Sequence, residues 1–534
     1  MESFAGRIDL EALGLDHQPL AWAGELELDQ PSLRDNTGLA DRLARAAAGR
    51  WGLSRVVVPL SLASRIAEMP PFPGRRLWVS LQVENDQGRL IALDWSSTAP
   101  ESRRGPFGLA VDVGSTTLVL ALVDLGRAVV EEELTLTNPQ VRHGADILSR
   151  AHIAEKAEGL AEMTAGLLQA INNGLAAMCR RLDLSVGRVS AAALAGNTVM
   201  THFLLGLPVR TVIREPYVPV LNRPAELTAS AVGLEMAPEA PVLVMPNRGA
   251  YFGGDLVAGL VVAGLARAEE PCLMVDVGTN AEVVLGQKDW LVGAAGAAGP
   301  ALESGVTARG MTAGPGAIDR VRVDRRTGEI SWRTMAGARP RGLCGSGLID
   351  LLAESFLSGL IDFKGRLTLP PGHPRRTDTD EGPALIVVPA DQTENGRPIL
   401  LTEVEIDILI RSKAAMYTIL NTVTQSVGLS FDQIDRFFVA GTFGQHIDPR
   451  QAVAIGLVPD LPLEKFVPLG NSSLKGTILA LLSNRARVEA LDLWRRLTYL
   501  EMNVNQDLMN RFSAARFLPH TDRRLFPSVG TTII

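Results

Sequence analysis

Read for its alternation of apolar and polar positions, the chain falls into a short opening section and two longer ones. Ser32 to Ala48 places apolar residues at helical spacing, with an alanine-rich face and aspartates among the polar positions. Arg76 to Glu84 and Arg89 to Trp95 alternate with the period of strands. Asn85-Asp86-Gln87-Gly88 between them has the composition of a hairpin turn. The polar, proline-bearing stretch SSTAPESRRGP (Ser96 to Pro106) then reads as a linker. Together these predict a small α+β domain over residues 1–104.

Beyond the linker the pattern runs strand, turn, strand and then helices, twice over. LAVDVGSTTLVLALVD starts at Leu109, and LMVDVGTNAEVVLG starts at Leu273. Each has an apolar run, then Asp-Val-Gly, a hydroxyl residue and a second apolar run. Ala145 to Leu182 is expected to be helical, and Val189 to Gly206 to be a buried strand, a turn and a helix. Gly293 to Gly316 is too poor in side chains to form a core and is expected as a loop, where glycine lets backbone approach a ligand or other backbone. Arg436 to Gly456 again reads as strand, turn and helix, and Arg485 to Phe512 has helical periodicity. The expected architecture is α/β, a duplicated two-lobed chain with lobes at residues 105–268 and 269–534.

Composition narrows the function more by exclusion than by proposal. At 534 residues the chain is too long for one core. A net charge of −7 argues against nucleic-acid binding and against a polybasic membrane contact. No apolar run reaches membrane-spanning length; the one from Leu256 to Ala266 stops at Arg267. The opening MESFAGRIDLEALG lacks the charged and apolar regions of a signal peptide, so a cytoplasmic location is expected. The three cysteines, Cys179, Cys272 and Cys344, form no Cys-x-x-Cys pair and no zinc spacing. They are expected as buried thiols, and no iron–sulfur cluster is expected in this chain, because thiolate-held clusters normally take four cysteines. The seven histidines, His202 and His446 among them, show no ligand spacing.

The repeated turn has a definite chemistry. Aspartate at a strand end puts a carboxylate on the lip of a sheet, and the glycine after it leaves backbone N–H groups able to face phosphate oxygens. Gly114, Ser115, Thr116 and Thr117 supply such donors in the first copy; Gly278, Thr279 and Asn280 do so in the second. Asp112 and Asp276 are the expected magnesium and water ligands, since magnesium takes one or two carboxylates together with phosphate oxygens. Glu282, just past the second turn, is placed either to orient an attacking water or to sit in an ion pair. Asn197 occupies a strand-end turn and is a candidate nucleotide-binding residue, and Asp255 reads as a helix N-cap. VAGTFG (Val439 to Gly444) has Gly441 and Gly444 bracketing a short turn before a helix, with residues small enough for a nucleoside to lie against backbone.

The order of Asp112 hairpin, Asp276 hairpin and Gly441 turn resembles the phosphate-1, phosphate-2 and adenosine segments of the acetate and sugar kinase, heat-shock 70 and actin superfamily. More narrowly, the chain resembles the ATP-dependent reductive activators of corrinoid proteins. The stretches that carry this are NPQVRHGADILSR (Asn138 to Arg150), GNTVMTHFLLG (Gly196 to Gly206), VDVGTNAEVVLG, GPALESGVTARGMTAGPGAI (Gly299 to Ile318), GLCGSGLIDLL (Gly342 to Leu352), GNSSLKG (Gly470 to Gly476) and LPHTD (Leu518 to Asp522).

The resemblance implies an actin-like ATPase fold that binds ATP or ADP with Mg2+ and drives electrons onto a corrinoid protein whose cobalt has slipped to Co(II). It also suggests a methyltransferase system as the setting and a homodimer as the assembly. Such activators usually carry their own iron–sulfur domain. No ferredoxin-type cysteines precede this sequence, so either the chain is part of a longer polypeptide or an external iron–sulfur donor supplies the electrons. Thr442 stands where relatives often have a second consecutive glycine, which puts the base contact in question. Two other functions stay open on the residues alone: a small-molecule kinase of the same superfamily, and a nucleotide-gated binding module.

Overall fold

Both Val-Asp-Val-Gly segments close antiparallel hairpins, for the same reason. Alternate residues of the first strand are large and apolar and enter the core, while the aspartate points off the other face. Strands Phe107–Val113 and Thr117–Asp124 make the first hairpin, with Val113 opposite Leu118. Strands Cys272–Val277 and Ala281–Gln287 make the second, with Val277 opposite Ala281, so by register its loop is one residue shorter.

A third antiparallel strand extends each hairpin, Val129–Thr137 in one case and Trp290–Gly296 in the other. On the opposite side each first strand has a parallel neighbour, Val189–Gly196 or Arg436–Ala440. A further parallel strand follows each, Pro241–Val244 or Phe466–Gly470. The core strand order is therefore the same in the two sheets. The computed structural model describes residues 6–29, 31–68, 76–95, 104–144, 146–278, 280–296, 307–502 and 508–530, without the side chains of Arg76, Thr442, Phe443, Gln445 and Leu508.

The chain divides into two compact units, one of residues 2–262 and 472–495 and the other of 263–471 and 496–534. The second lobe expected at 269–534 is therefore interrupted. Helix Ser472–Leu482 instead packs on strands Phe107–Val113 and Val189–Gly196 of the N-terminal unit. Every one of its residues is buried, which explains why it shows no amphipathic stripe that would have assigned it to a neighbour.

The other face of that sheet takes helix Ala157–Arg181, which buries Met163, Leu167, Ile171, Leu175 and Met178 at helical spacing. Each such side chain contributes about 1.5–3 kcal/mol on leaving water. Gly174 permits the close seat, because a Cβ there would lie 2.9 Å from Leu120 Cδ2. The predicted helix from Ala145 to Leu182 is in fact two, Ile147–Ile153 and Ala157–Arg181, and Ala145 lies outside the described residues.

The small α+β domain is a sheet of Trp22–Glu27, Arg76–Glu84, Gln87–Asp94 and Arg55–Val57 with helices Leu39–Trp51 and Leu60–Ala67. Its turn is Asn85-Asp86 alone, both at positive φ, and Gln87-Gly88 already belong to the next strand. The first helix starts at Leu39, seven residues later than expected at Ser32, because Asp35 takes the Thr37 amide and hydroxyl and pairs with Arg42. Gly6–Arg7 pairs with Val129 and Val130 of the lobe sheet, so the opening residues serve the lobe as well as the small domain. Arg89 to Glu239 (2.8 Å) and Arg188 over the Trp78 ring tie the small domain to that lobe. Most of the linker from Ser96 to Pro106 lies outside the described residues.

In the C-terminal unit, Leu273, Val275, Val283 and Leu285 pack against helices Gly345–Leu357 and Glu403–Ser426 in one large core. Gly293 to Gly296, expected in a loop, ends the third strand of the meander; a Cβ on Gly296 would meet Ile419 Cδ1 at 2.6 Å, so small residues there admit the helix. The rest of that expected loop lies partly outside the described residues. The expected helix from Arg485 to Phe512 is helix Asn484–Arg496, strand Leu497–Tyr499 and helix Leu508–Ala515, the strand pairing with Trp290–Gly296. Lys413 is fully buried and donates to Pro519 O (2.6 Å) and Phe517 O, which anchors the LPHTD segment on its helix. Burial pushes this ammonium well below the usual lysine range.

Candidate functional site: two aspartate turns

In the N-terminal unit Asp112 is half-buried at the end of its strand, beside Ala195. Its Oδ1 accepts from Ser473 Oγ at 2.8 Å. The turn that follows is held by its carbonyls. Asn138 Nδ2 donates to Gly114 O (2.8 Å), the Asn138 amide donates to Thr116 O (2.9 Å), and Arg150 Nη1 donates to Ser115 O. In trans peptides the N–H points opposite to the C=O, so engaging three successive carbonyls turns the amides of Ser115, Thr116 and Thr117 the other way. Such a run of amides suits an anion.

Arg150 is fully buried, and burial lowers its basicity from the usual arginine value. It also donates to Gly144 O at 2.8 Å. The stretch Asn138 to Arg150 thus acts as the scaffold of the first turn. Sequence reasoning marked that stretch by likeness without assigning it this work, because none of its side chains sits near the turn in the chain. A Cβ on Gly114 would fall 2.5 Å from Thr117 O, so the turn tolerates only glycine there. Ser115 is half-buried, and Thr116 and Thr117 are exposed.

Asn197 caps helix Thr198–Leu204, its Oδ1 accepting from the Met200 amide at 2.9 Å. Asp255 is the second residue of helix Gly254–Ala263 and not its N-cap; the Gly254 amide donates instead to Asn247 Oδ1 (2.9 Å). His202 is buried, with Nδ1 2.6 Å from Thr198 O and Nε2 3.1 Å from the Val220 amide. Lys475 and Glu133 face each other electrostatically on the Asp112 side of the sheet. Burial lowers the lysine and raises the carboxyl, and each partly offsets the other.

In the C-terminal unit Asp276 is half-buried and sits directly opposite Glu282 across the hairpin and beside Ala440 on the parallel side. Directly opposed residues share a face, so Asp276 and Glu282 project together. The Gly278 amide donates to Asn280 O at 2.9 Å, and Asn280 is exposed. Thr279 lies outside the described residues.

Strand Arg436–Ala440 runs straight into helix Gly441–His446, so Gly441 and Gly444 form its first turn rather than bracketing a loop before it. Gly441 has φ +84°, and a Cβ there would lie 2.9 Å from Val277 O and 3.2 Å from Asp276 Oδ1. The structure therefore brings together Asp276, Glu282 and Gly441. A Cβ on Gly444 would meet Val439 Cγ1 at 2.5 Å. The Thr442 side chain lies outside the described residues.

One correspondence was invisible in the pattern of hairpins alone. Asp112 lies beside Ala195 and Asp276 beside Ala440, so Gly196 and Gly441 hold equivalent places. A Cβ on Gly196 would meet Val113 O at 2.8 Å, as one on Gly441 would meet Val277 O at 2.9 Å. The duplication thus includes the fourth strand and the glycine that ends it.

The three cysteines are free and buried. Burial pushes the Cys179 thiol up to about 11 and raises that of Cys272, which disfavours thiolate. Among the described residues no three histidine, cysteine or acidic side chains converge as a metal site. A magnesium ion carried in on phosphate oxygens needs fewer protein ligands than that.

Two sheets of the same order, each with an aspartate turn, define an α/β protein of the acetate and sugar kinase, heat-shock 70 and actin class. Comparison with known proteins narrows this. The family model described as the C-terminal domain of RACo, the ASKHA domain, matches residues 270–530, and that of the RACo middle region matches 107–268. The chain is 28% identical over 420 residues to the corrinoid activation enzyme RamQ of Eubacterium limosum, covering 77% of this chain and 70% of that one. It is 23% identical over 406 residues to the [Co(II) methylated amine-specific corrinoid protein] reductase of Methanosarcina barkeri, covering 69% and 68%. A solved structure of a reductive activator for corrinoid, iron-sulfur protein is 35% identical, with a TM-score of 0.86 over 98% of this chain and 83% of that one. The chain belongs to the family of reductive activators of corrinoid proteins.

Proposed function

We propose that this protein hydrolyses ATP and couples it to the reductive reactivation of a Co(II) corrinoid protein of a methyltransferase system, in the cytoplasm. The observation that carries the nucleotide part is the backbone of Gly441 packed against Asp276. That close approach sets the carboxylate beside the start of helix Gly441–His446, at the end of a parallel strand where α/β sheets bind ligands. The corrinoid part rests on the relatives, whose names tie them to corrinoid activation or reduction.

In this reading Asp112 and Asp276 would each offer a carboxylate to Mg2+, which would neutralise developing charge on the phosphates. The amides of the Gly114–Thr117 turn bind phosphate oxygens, and their direction is set in advance by Asn138 and Arg150. Glu282, on the same face as Asp276, orients the attacking water. Phosphoryl transfer asks for positioning and electrostatics and needs no covalent intermediate, which fits a site built of carboxylates and amides. Electrons come from a low-potential iron–sulfur donor outside the residues described, a role for which three buried, scattered thiols are unsuited.

The test is magnesium-dependent ATP hydrolysis by the purified chain, with and without a Co(II) corrinoid protein. The rate is expected to rise when the corrinoid protein is present, and a rise with a small metabolite instead would point to a kinase. Asp276→Asn keeps the shape and removes the charge, so it should retain the fold by circular dichroism and lose about a hundredfold in rate. Hydrolysis by that variant at the wild-type rate would contradict the assignment.

A further inference from the structure

We propose that Ser473 is a positioning residue for Asp112, fixing the carboxylate in the orientation that receives the metal-bound nucleotide; this rests on the role given to Asp112 above. The bond is direct, 2.8 Å from Ser473 Oγ to Asp112 Oδ1. An ionised carboxylate can only accept, so the serine hydroxyl donates, and a bond to a charged acceptor is of the stronger kind. Ser473 is 6% exposed, which limits competition from water.

Its own position is over-determined. Ser473 lies in the first turn of helix Ser472–Leu482, every residue of which is buried. Gly476 seats that helix against helix Gly254–Ala263 so closely that a Cβ would fall 2.3 Å from Ala258 O. Lys475, two residues on, faces Glu133 of the sheet edge. The donor therefore cannot follow a carboxylate that rotates away, and Asp112 is held where the helix holds it. The first turn of a helix also favours a negative group beside it.

Ser473 belongs to the GNSSLKG stretch, which enters the N-terminal unit immediately after the first segment of the C-terminal unit stops at residue 471. Its neighbour Ser472 is 1% exposed, and its hydroxyl has no hydrogen-bond partner among the described residues. That makes Ser472→Ala a control for merely altering the helix start.

The experiment measures ATP hydrolysis against Mg2+ concentration for the full chain and for Ser473→Ala, Ser473→Thr and Ser472→Ala, with melting temperature alongside. Ser473→Ala should lower kcat about tenfold and raise the Mg2+ concentration for half-saturation several-fold, while Ser473→Thr, which keeps the donor, restores both to near wild type. In an Asp112→Asn background Ser473→Ala should add little, because the two act as one unit. A Ser473→Ala protein with lowered melting temperature but wild-type kcat and Mg2+ dependence would overturn the inference, making the bond a helix anchor only. So would equal losses in Ser473→Ala and Ser472→Ala. A wild-type chain without magnesium-dependent hydrolysis would overturn the functional reading itself, and this inference with it.

Discussion

His202 shows what a single side chain can settle from its partners. Thr198 O can only accept and the Val220 amide can only donate, so Nδ1 carries the proton and Nε2 accepts. Protonating Nε2 would set two hydrogens against each other inside a buried site, and burial accordingly lowers the imidazole pKa from 6.5. A lowered histidine in the fold means that the unfolded chain binds protons first as pH falls. Its stabilising share is therefore complete above pH 6.5 and is lost as pH drops through the folded value below that. His520 is lowered too and adds to the same window. His202→Gln should melt at a lower temperature than wild type at pH 7.5, with the gap narrowing by pH 5. A gap that stayed constant would show that His202 does not titrate in this way. The sequence offered its place in a motif; its bond to Val220, eighteen residues away, could not be read there.

Among the elements, the hairpins and the strands around them were legible because period-two alternation and aspartate-glycine turns are local signals. Strand Arg76–Glu84 has the ends that alternation predicts. What alternation cannot give is which sheet a wholly buried helix joins. Helix Ser472–Leu482 has no polar face, and only its contacts assign it to the N-terminal unit. The same blindness hid Ser473 and Arg150, whose partners Asp112 and Ser115 lie far away along the chain. Glycine signals a close approach without naming the partner: Gly296 admits a helix side chain, and Gly441 meets backbone.

Helix Glu403–Ser426 carries a further example in Lys413. A lysine on an apolar helix face reads as a misfit until the carbonyls of Phe517 and Pro519 are seen to cap it. Lys413→Ala would leave a buried and a half-buried carbonyl without this donor and should cost about 2–4 kcal/mol. Denaturant unfolding measures this, and earlier proteolytic cleavage near residue 517 would locate the loss. An unchanged midpoint would mean that the tail is held by its apolar contacts alone.

For the whole molecule, the duplication is the organising fact. One strand order occurs twice, and each copy has an aspartate one residue before the end of its first strand and a glycine at or just past the end of the parallel strand beside it, packed against the carbonyl after that aspartate. The copies have also diverged. Asp276 faces Glu282, whereas Asp112 faces Val119 and takes a hydroxyl from Ser473. In the proposed reading the C-terminal copy would orient water and the N-terminal copy would present a fixed carboxylate to the metal. In the proposed reading, loss of the γ-phosphate would change the protein only if ATP and ADP are contacted differently. We propose that such a change would serve electron transfer to cobalt. The most direct measurement is the anaerobic visible spectrum of a Co(II) corrinoid protein mixed with this chain, a low-potential iron–sulfur donor and Mg-ATP. The account predicts conversion to the Co(I) spectrum only with chain, donor and ATP all present, and its loss with Asp276→Asn. Conversion at the same rate without ATP, or none when all three are present, would contradict it.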